Sequence, residues 1–279
     1  MIKMNGSYLK IILAAIIWGS SGVFIKFLNL HPFVITFFRV AVPVLLIGVF
    51  TNWKNLRIIR LTSGLLVFAS FLNVIRLVFY FIGFLNAPIG NAVIILYTWP
   101  IFAVLLSRLY LFEPLPLKNI LLLVLAFSGI VLIHIDKQIS FDNDEFIGTM
   151  AMLLSSVFYA ITVVIFKKES PAYSNWSIVF HQNFIGALVF TVIFLFYPEK
   201  PPLDLSLVAF LYAILVGVIG FGLFFSALKE IKASNASLVA YIEVISAVIF
   251  GIVFFNETLS WNVIGGGILI IGSSMLLKK

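Results

Sequence analysis

Apolar stretches of about 20 residues recur along the chain, at 8–28, 33–51, 61–85, 88–112, 117–135, 146–167, 176–197, 205–228, 233–255 and 260–277. At 1.5 Å of rise per residue, each is long enough as a helix to cross a hydrocarbon core of about 30 Å. Between them stand the breakers His31-Pro32, Pro88, Pro114 with Pro116, Pro198 and Pro201-Pro202. Ten transmembrane helices are therefore expected. The composition agrees: 62% of the 279 residues are hydrophobic and 10% charged, against about 25% charged in soluble domains. A chain this apolar has too little polar surface to coat a globule, so the lipid bilayer is its expected solvent. The first stretch follows Lys3 and Lys10 and shows no small-residue cleavage site, so it is expected to remain as a spanning helix.

Several function classes drop out. The absence of Cys excludes disulfides, thiolate metal sites and a Cys nucleophile. The three His, at 31, 134 and 181, are never four residues apart, so no metal site is expected. The net charge of +7 comes from basic residues scattered singly among apolar runs, which argues against nucleic acid as a partner. No phosphate-binding glycine loop and no Ser/His/Asp grouping stands out, so an enzyme is not expected. The longest connector, "DKQISFDNDEF", is too short for a nucleotide-binding module. No cofactor is expected, and gradients must supply any driving force.

Lys and Arg set the orientation. With the N-terminus inside, thirteen of the eighteen basic residues fall on the inner side and three, Lys26, Lys137 and Lys200, on the outer; Arg39 and Arg76 lie within helices. Both termini are therefore expected on the cytoplasmic side, in a bacterial inner membrane.

An internal repeat organises the chain. Residues 91–120 and 235–264 align without a gap at nine of thirty positions, among them Asn91/Asn235, Tyr97/Tyr241 and Glu113/Glu257. A weaker echo sets 14–26 against 155–167, pairing Trp18 with Tyr159 and Lys26 with Lys167. Two halves of five helices follow, 1–139 and 140–279. Because five is odd, the second half must enter the membrane from the opposite side. Inverted repeats of this kind mark secondary transporters, whose sites lie near the midplane between the repeats. The fold class is thus an all-α membrane protein of ten transmembrane helices in two inverted five-helix repeats.

Over essentially its whole length the chain also resembles the drug/metabolite transporter superfamily, in its EamA-like branch. The residues that carry the resemblance are Trp18-Gly19 in helix 1 and the Asn-Ala to Glu pattern of helices 4 and 9. Pro100 fits the central proline common in helix 4 of such proteins, while Val244 stands at the equivalent place in helix 9. The resemblance implies export of amino acids or related metabolites.

Glu243, inside the apolar run "SLVAYIEVISAVIFG", is the leading site candidate. A carboxylate at bilayer depth costs roughly 2.5–3.5 kcal/mol on insertion scales, so such groups default to function. Ala236, Ala240, Glu243, Ala247 and Gly251 share one helical face, which points the carboxylate at a neighbouring helix or a cavity. It would hold an ammonium or a proton; the alternative is a structural ion pair or an interhelical hydrogen bond. Arg76 shares a face of helix 3 with Ala69, Asn73, Tyr80 and Gly83, and Arg39 lies at a similar depth on helix 2. Two guanidiniums at one depth suggest a carboxylate or phosphate zone, unless they pair Glu243 or cap helix carbonyls. Trp18 and Trp99 lie too deep for an interfacial belt and are expected to wall a pocket, as are Tyr80, Tyr97 and Tyr159. On helix 7, Gln182 is a binding candidate, and His181 joins Glu243 as a candidate for proton coupling because an imidazole titrates near neutrality. Glu113 and Glu257 are expected to orient the start of the helix that follows each. Glycines 19 and 22 in helix 1, and 217, 220 and 222 in helix 8, fit either bending or close packing.

The expected cavity is bounded by helices 1, 3, 4, 6, 8 and 9, and alternating access moves a small-molecule substrate through it. Rival expectations are an exchanger or importer of a phosphorylated or nucleoside-like metabolite, favoured if both arginines line the cavity, and a non-transporting scaffold, favoured if Arg39, Arg76 and Glu243 are mutually paired.

Overall fold

The computed structural model describes residues 6–50, 64–86, 95–133, 135, 143–255 and 261–276. They form ten apolar helical rods: α1 Gly6–Leu28, α2 Pro32–Phe50, α3 Gly64–Asn86, α4 Trp99–Tyr110, α5 Leu117–Ile133, α6 Asn143–Glu169, α7 Asn175–Phe196, α8 Leu203–Leu228, α9 Ala233–Phe255 and α10 Trp261–Leu276. Seven are long and apolar enough to cross a membrane, and α4, α5 and α10 are shorter. Large side chains such as Phe50, Leu109, Leu195 and Phe196 are exposed, which in water would be a liability and in lipid is the ordinary arrangement. The expected boundary at 139–140, with Asn91, Glu257 and the start predicted for helix 4, lies outside the described residues.

Exchanging each helix with the one five places later maps the packing onto itself. The pair α3–α6 has its counterpart in α8–α1, α1–α9 in α6–α4, and α3–α7 in α8–α2, while α2–α7 and α5–α10 map onto themselves. Where two rods cross at bilayer depth, close approach of backbones replaces the hydrophobic driving force available in water. The glycines show it. A β-carbon at Gly129 of α5 would stand 2.6 Å from the Gly266 carbonyl of α10, and one at Gly217 of α8 2.7 Å from Pro43 of α2. Gly19, Gly220 and Gly222 are packed as tightly, against α9, Trp18 and Trp176 respectively, whereas Gly22 meets nothing within 4 Å. Close packing therefore accounts for four of the five glycines singled out in α1 and α8.

The winding of α8 changes along its length. Residues Ala213–Gly220 form a π-helical stretch, a wider winding that is frequent at functional sites. The packed glycines Gly217 and Gly220 both lie in it.

The helix ends at the start of α1 gather on the turn between α8 and α9. Lys167 at the end of α6 donates to the carbonyl oxygens of Leu228 and, at 2.8 Å, Ile231, and Lys229 donates to the Tyr173 carbonyl at 2.6 Å. Glu113, past the end of α4, accepts from the backbone N–H groups of Ala233 at 3.0 Å and Ser234 at 3.5 Å. The helix whose start Glu113 orients is therefore α9, not the α5 that follows it. The cause is spatial: α4 packs beside α9, so the carboxylate reaches the orphan N–H groups of α9. Such a charged cap is worth about 1–2 kcal/mol. Glu113→Ala is expected to lower the melting temperature in detergent by about 2–4 °C per kcal/mol lost, measured against the wild type, while Glu113→Gln retains part of the cap.

Glu230 on the same turn accepts from the Ser7 hydroxyl and pairs with Lys10 at 3.5 Å. The Ser7 hydrogen bond first, and the Lys10 charge second, hold its carboxyl below the ordinary value of 4.5. A depressed folded-state pKa means that the tie is complete above the unfolded value and is lost as pH falls through the folded one. The melting temperatures of wild type and Glu230→Gln are thus expected to differ at pH 6–7 and to converge on acidification below about 4.5. The pair is exposed, so a small difference is expected.

Candidate functional site

One cavity lies at the centre of the bundle. It is lined from both halves of the chain, by Trp18, Ser21 and Ile25 of α1, Ile35, Thr36 and Arg39 of α2, and Arg76, Leu77, Tyr80 and Phe81 of α3. Leu96, Tyr97 and Trp99 come from α4 and the turn before it, Tyr159 from α6, Tyr212, Val216 and Phe221 from α8, and Glu243 from α9. The centre of a water-sized molecule can range over about 130 Å³ of it. The lining stops at Trp18 and Glu243 near mid-helix and reaches Ile25 and Ile35, three residues from the α1–α2 turn. The cavity thus occupies the half of the bundle away from the clasped α8–α9 turn.

Eight of the nine residues expected to bind substrate stand on this wall: Trp18, Arg39, Arg76, Tyr80, Tyr97, Trp99, Tyr159 and Glu243. Gln182 does not, nor does the proton-coupling candidate His181. The reason is the packing of α7, which turns that face to α3. Asn73 donates to the Gln182 carbonyl at 2.9 Å, Ser70 to the His181 carbonyl, and the His181 ring Nδ1 donates to the Ser177 carbonyl at 2.7 Å. The first two tie α3 to backbone carbonyls of α7, and the third lies within α7. Helix 2 was missing from the expected wall, and it supplies Thr36 as well as Arg39. Tyr212 and Phe221 were also missed; in a chain with 30 Phe, no sequence signal separates one wall aromatic from the rest.

The charged groups are individually placed. Arg76 is 6% exposed; its Nε donates to the Asn73 side-chain oxygen at 3.1 Å and its guanidinium lies 4.8 Å from the centre of the Tyr159 ring. Asn73 is itself held by its bond to α7, so it fixes the guanidinium from behind. Arg39 lies 5.5 Å from the Phe221 ring. Glu243 is partly exposed to the cavity, whose wall it shares with Tyr97. Among the described residues, neither arginine comes within 4.0 Å of a carboxylate oxygen; Lys10–Glu230 is the ion pair present. Mutual neutralisation of Arg39, Arg76 and Glu243, the arrangement expected of a scaffold, is therefore not what the structure shows.

Glu243 owes its position to a break. Helix α9 is interrupted at Tyr241, whose N–H turns to Leu238 O at 3.3 Å while Val244 N–H takes Tyr241 O at 3.0 Å. Its counterpart is the turn at Tyr97–Thr98, where Ile101 N–H bonds Thr98 O at 2.9 Å and Pro100 has no N–H to give. The Tyr97 carbonyl is thereby left without its usual helical donor, and the Tyr241 hydroxyl donates to it at 2.9 Å. Helix 9 is thus interrupted without the proline that marks helix 4. Discontinuous helices beside the midplane are where transporters of this build place their sites. The small face expected on α9 holds at Ala236, Ala240 and Gly251, which are buried, but Ala247 is exposed.

The EamA-like transporter family model matches the chain twice, over residues 5–135 and 146–278. The chain belongs to this family. It is a membrane transporter by that membership, and the two matched segments agree with the two-repeat layout. An uncharacterised transporter of Archaeoglobus fulgidus is 26% identical over 95% of this chain and 94% of its own length. The pseudopaline exporter CntI of Pseudomonas aeruginosa is 26% identical over 88% of this chain and 85% of its own. Solute carrier family 35 member G1 of Homo sapiens is 25% identical over 95% of this chain and 76% of its own. A solved crystal structure superposes with a TM-score of 0.83 over 98% of this chain and 97% of its own, at 15% identity, a likeness of fold alone.

Proposed function

We propose that this EamA-like chain is a secondary transporter of small metabolites, amino acids or related compounds, working by alternating access between its two inverted halves. The observation that carries the reading is the central cavity, where Arg39, Arg76 and Glu243 meet without an ion-pair partner among the described residues. Glu243 takes the ammonium of the substrate, or a proton in its absence; an arginine takes the acid group; Trp18 and Trp99 close the walls. Residues 1–139 and 140–279 act as the two moving halves, and the termini face the cytoplasm of a bacterial inner membrane. The exporter among the relatives supports a small-molecule cargo without naming it. Coupling to protons falls to Glu243 rather than His181, whose ring stands off the cavity wall and is bonded within α7.

The presence of both arginines on the wall also favours a second reading, an exchanger or importer of a phosphorylated or nucleoside-like metabolite. Uptake and efflux in sealed proteoliposomes, with labelled amino acids and phosphorylated metabolites in and out of a pH gradient, separates the two. Amino-acid movement that depends on Glu243 supports the first reading. Movement of phosphorylated compounds alone, indifferent to Glu243, replaces it with the second.

A further inference from the structure

The cavity carries more positive than negative side-chain charge. Arg39 and Arg76 come from α2 and α3, in the first half of the chain, and Glu243, the one carboxylate among the described lining residues, comes from α9 in the second. Neither guanidinium has a carboxylate within 4.0 Å among the described residues. A neutral zwitterion such as leucine satisfies Glu243 and one arginine, and leaves the other guanidinium desolvated under the substrate without a counter-ion. Uncompensated charges of that kind are strongly disfavoured.

The arginines are also prepared for ligand. Asn73 occupies Nε of Arg76 at 3.1 Å, and the Tyr159 ring lies 4.8 Å away, so the terminal amino groups remain for an acid group. The guanidinium of Arg39 is set against Phe221 at 5.5 Å. A guanidinium fork matches two oxygens of a carboxylate or phosphate.

We infer that the preferred substrate is a small ammonium compound bearing two acid groups and a net negative charge, one acid group on each arginine and the ammonium on Glu243. This rests on the proposed transport function and narrows its substrate class. A dicarboxylic amino acid has this chemistry, as does an amino acid whose second acid is a phosphate. In both, the ligand bridges the two halves of the chain.

The test is competition binding to the purified full chain, read by thermal shift, with L-aspartate, L-phosphoserine, L-leucine and succinate as probes. Aspartate or phosphoserine is expected to bind at least about tenfold tighter than leucine, which has one acid group, and than succinate, which has no ammonium. Whichever of the two leads identifies the second acid as carboxylate or phosphate. In Arg39→Gln and Arg76→Gln the preference over leucine should shrink toward one, while Arg39→Lys, which keeps the charge, should retain most of it. Leucine binding as tightly as aspartate and phosphoserine overturns the inference. If Glu243→Gln then weakens leucine, the transport reading survives and only the substrate class falls. If Glu243→Gln weakens nothing, the proposed site falls as well. Absence of binding by all four probes also counts against the inference.

Discussion

Glu243→Gln is expected to weaken transport of an ammonium-bearing substrate by roughly 10- to 100-fold. That is the consequence of losing a charge-assisted hydrogen bond worth about 1.5–3 kcal/mol. The substitution keeps shape and most hydrogen-bonding capacity, so the fold should be little disturbed. The loss should appear chiefly in the apparent KM for substrate, because the ammonium loses its counter-charge. If Glu243 also carries the proton, the dependence of transport on a pH gradient disappears with it. A variant that transports and responds to the gradient as the wild type does would make the carboxylate structural. Initial rates in proteoliposomes at several substrate concentrations, with and without the gradient, measure both effects.

Gly19→Ala should have the second large effect, on the fold itself. At Gly19 the α1 backbone lies against α9, where a β-carbon would stand 2.8 Å from the Ala247 nitrogen and 2.9 Å from the Glu243 carbonyl oxygen. These are backbone atoms and cannot swing aside, so the helices must separate. Overpacking of this sort typically costs about 1–3 kcal/mol. Separation would also displace Ser246, which donates to Ala15 O at 3.1 Å across the same crossing, and with it the Glu243 turn. Both a lower melting temperature and weaker substrate binding are expected. Gly22→Ala, three residues on and open within 4 Å, is the control. It should leave the melting temperature unchanged or slightly raised, since alanine favours the helix by up to about 1 kcal/mol.

The sequence revealed the parts of this molecule governed by periodicity and charge. Ten runs of about 20 apolar residues gave ten rods, because no other backbone arrangement satisfies its hydrogen bonds in lipid short of a closed barrel. Arg76 and Glu243 stood out for a related reason: each is a costly side chain at a depth where cost implies purpose. What stayed hidden was the identity of neighbours. The α-helical period places Gln182 and His181 on α7, but only the packing of α7 on α3 shows that this face is spent on helix contact. Glu113 reads as a helix end from its own segment; its partner lies about 120 residues away. Tyr241 carries no proline or glycine to announce a break, and its interruption becomes intelligible only beside Tyr97. The π-helical stretch of α8 likewise has no marker beyond glycines that packing alone would explain.

The bond from the Tyr241 hydroxyl to the Tyr97 carbonyl joins the two halves at their matching weak points. Each joint is a place where a rod can change direction without losing many backbone hydrogen bonds, and the tie makes the two joints one linkage. If the halves move as proposed, flexing at one joint is carried to the other through this bond. In an unlinked pair of halves, each would wander among its own bent shapes independently, and intermediate shapes open to both sides at once would be common. Under the proposed alternating access, such a tie favours moving in step and makes a leak across the membrane correspondingly rare.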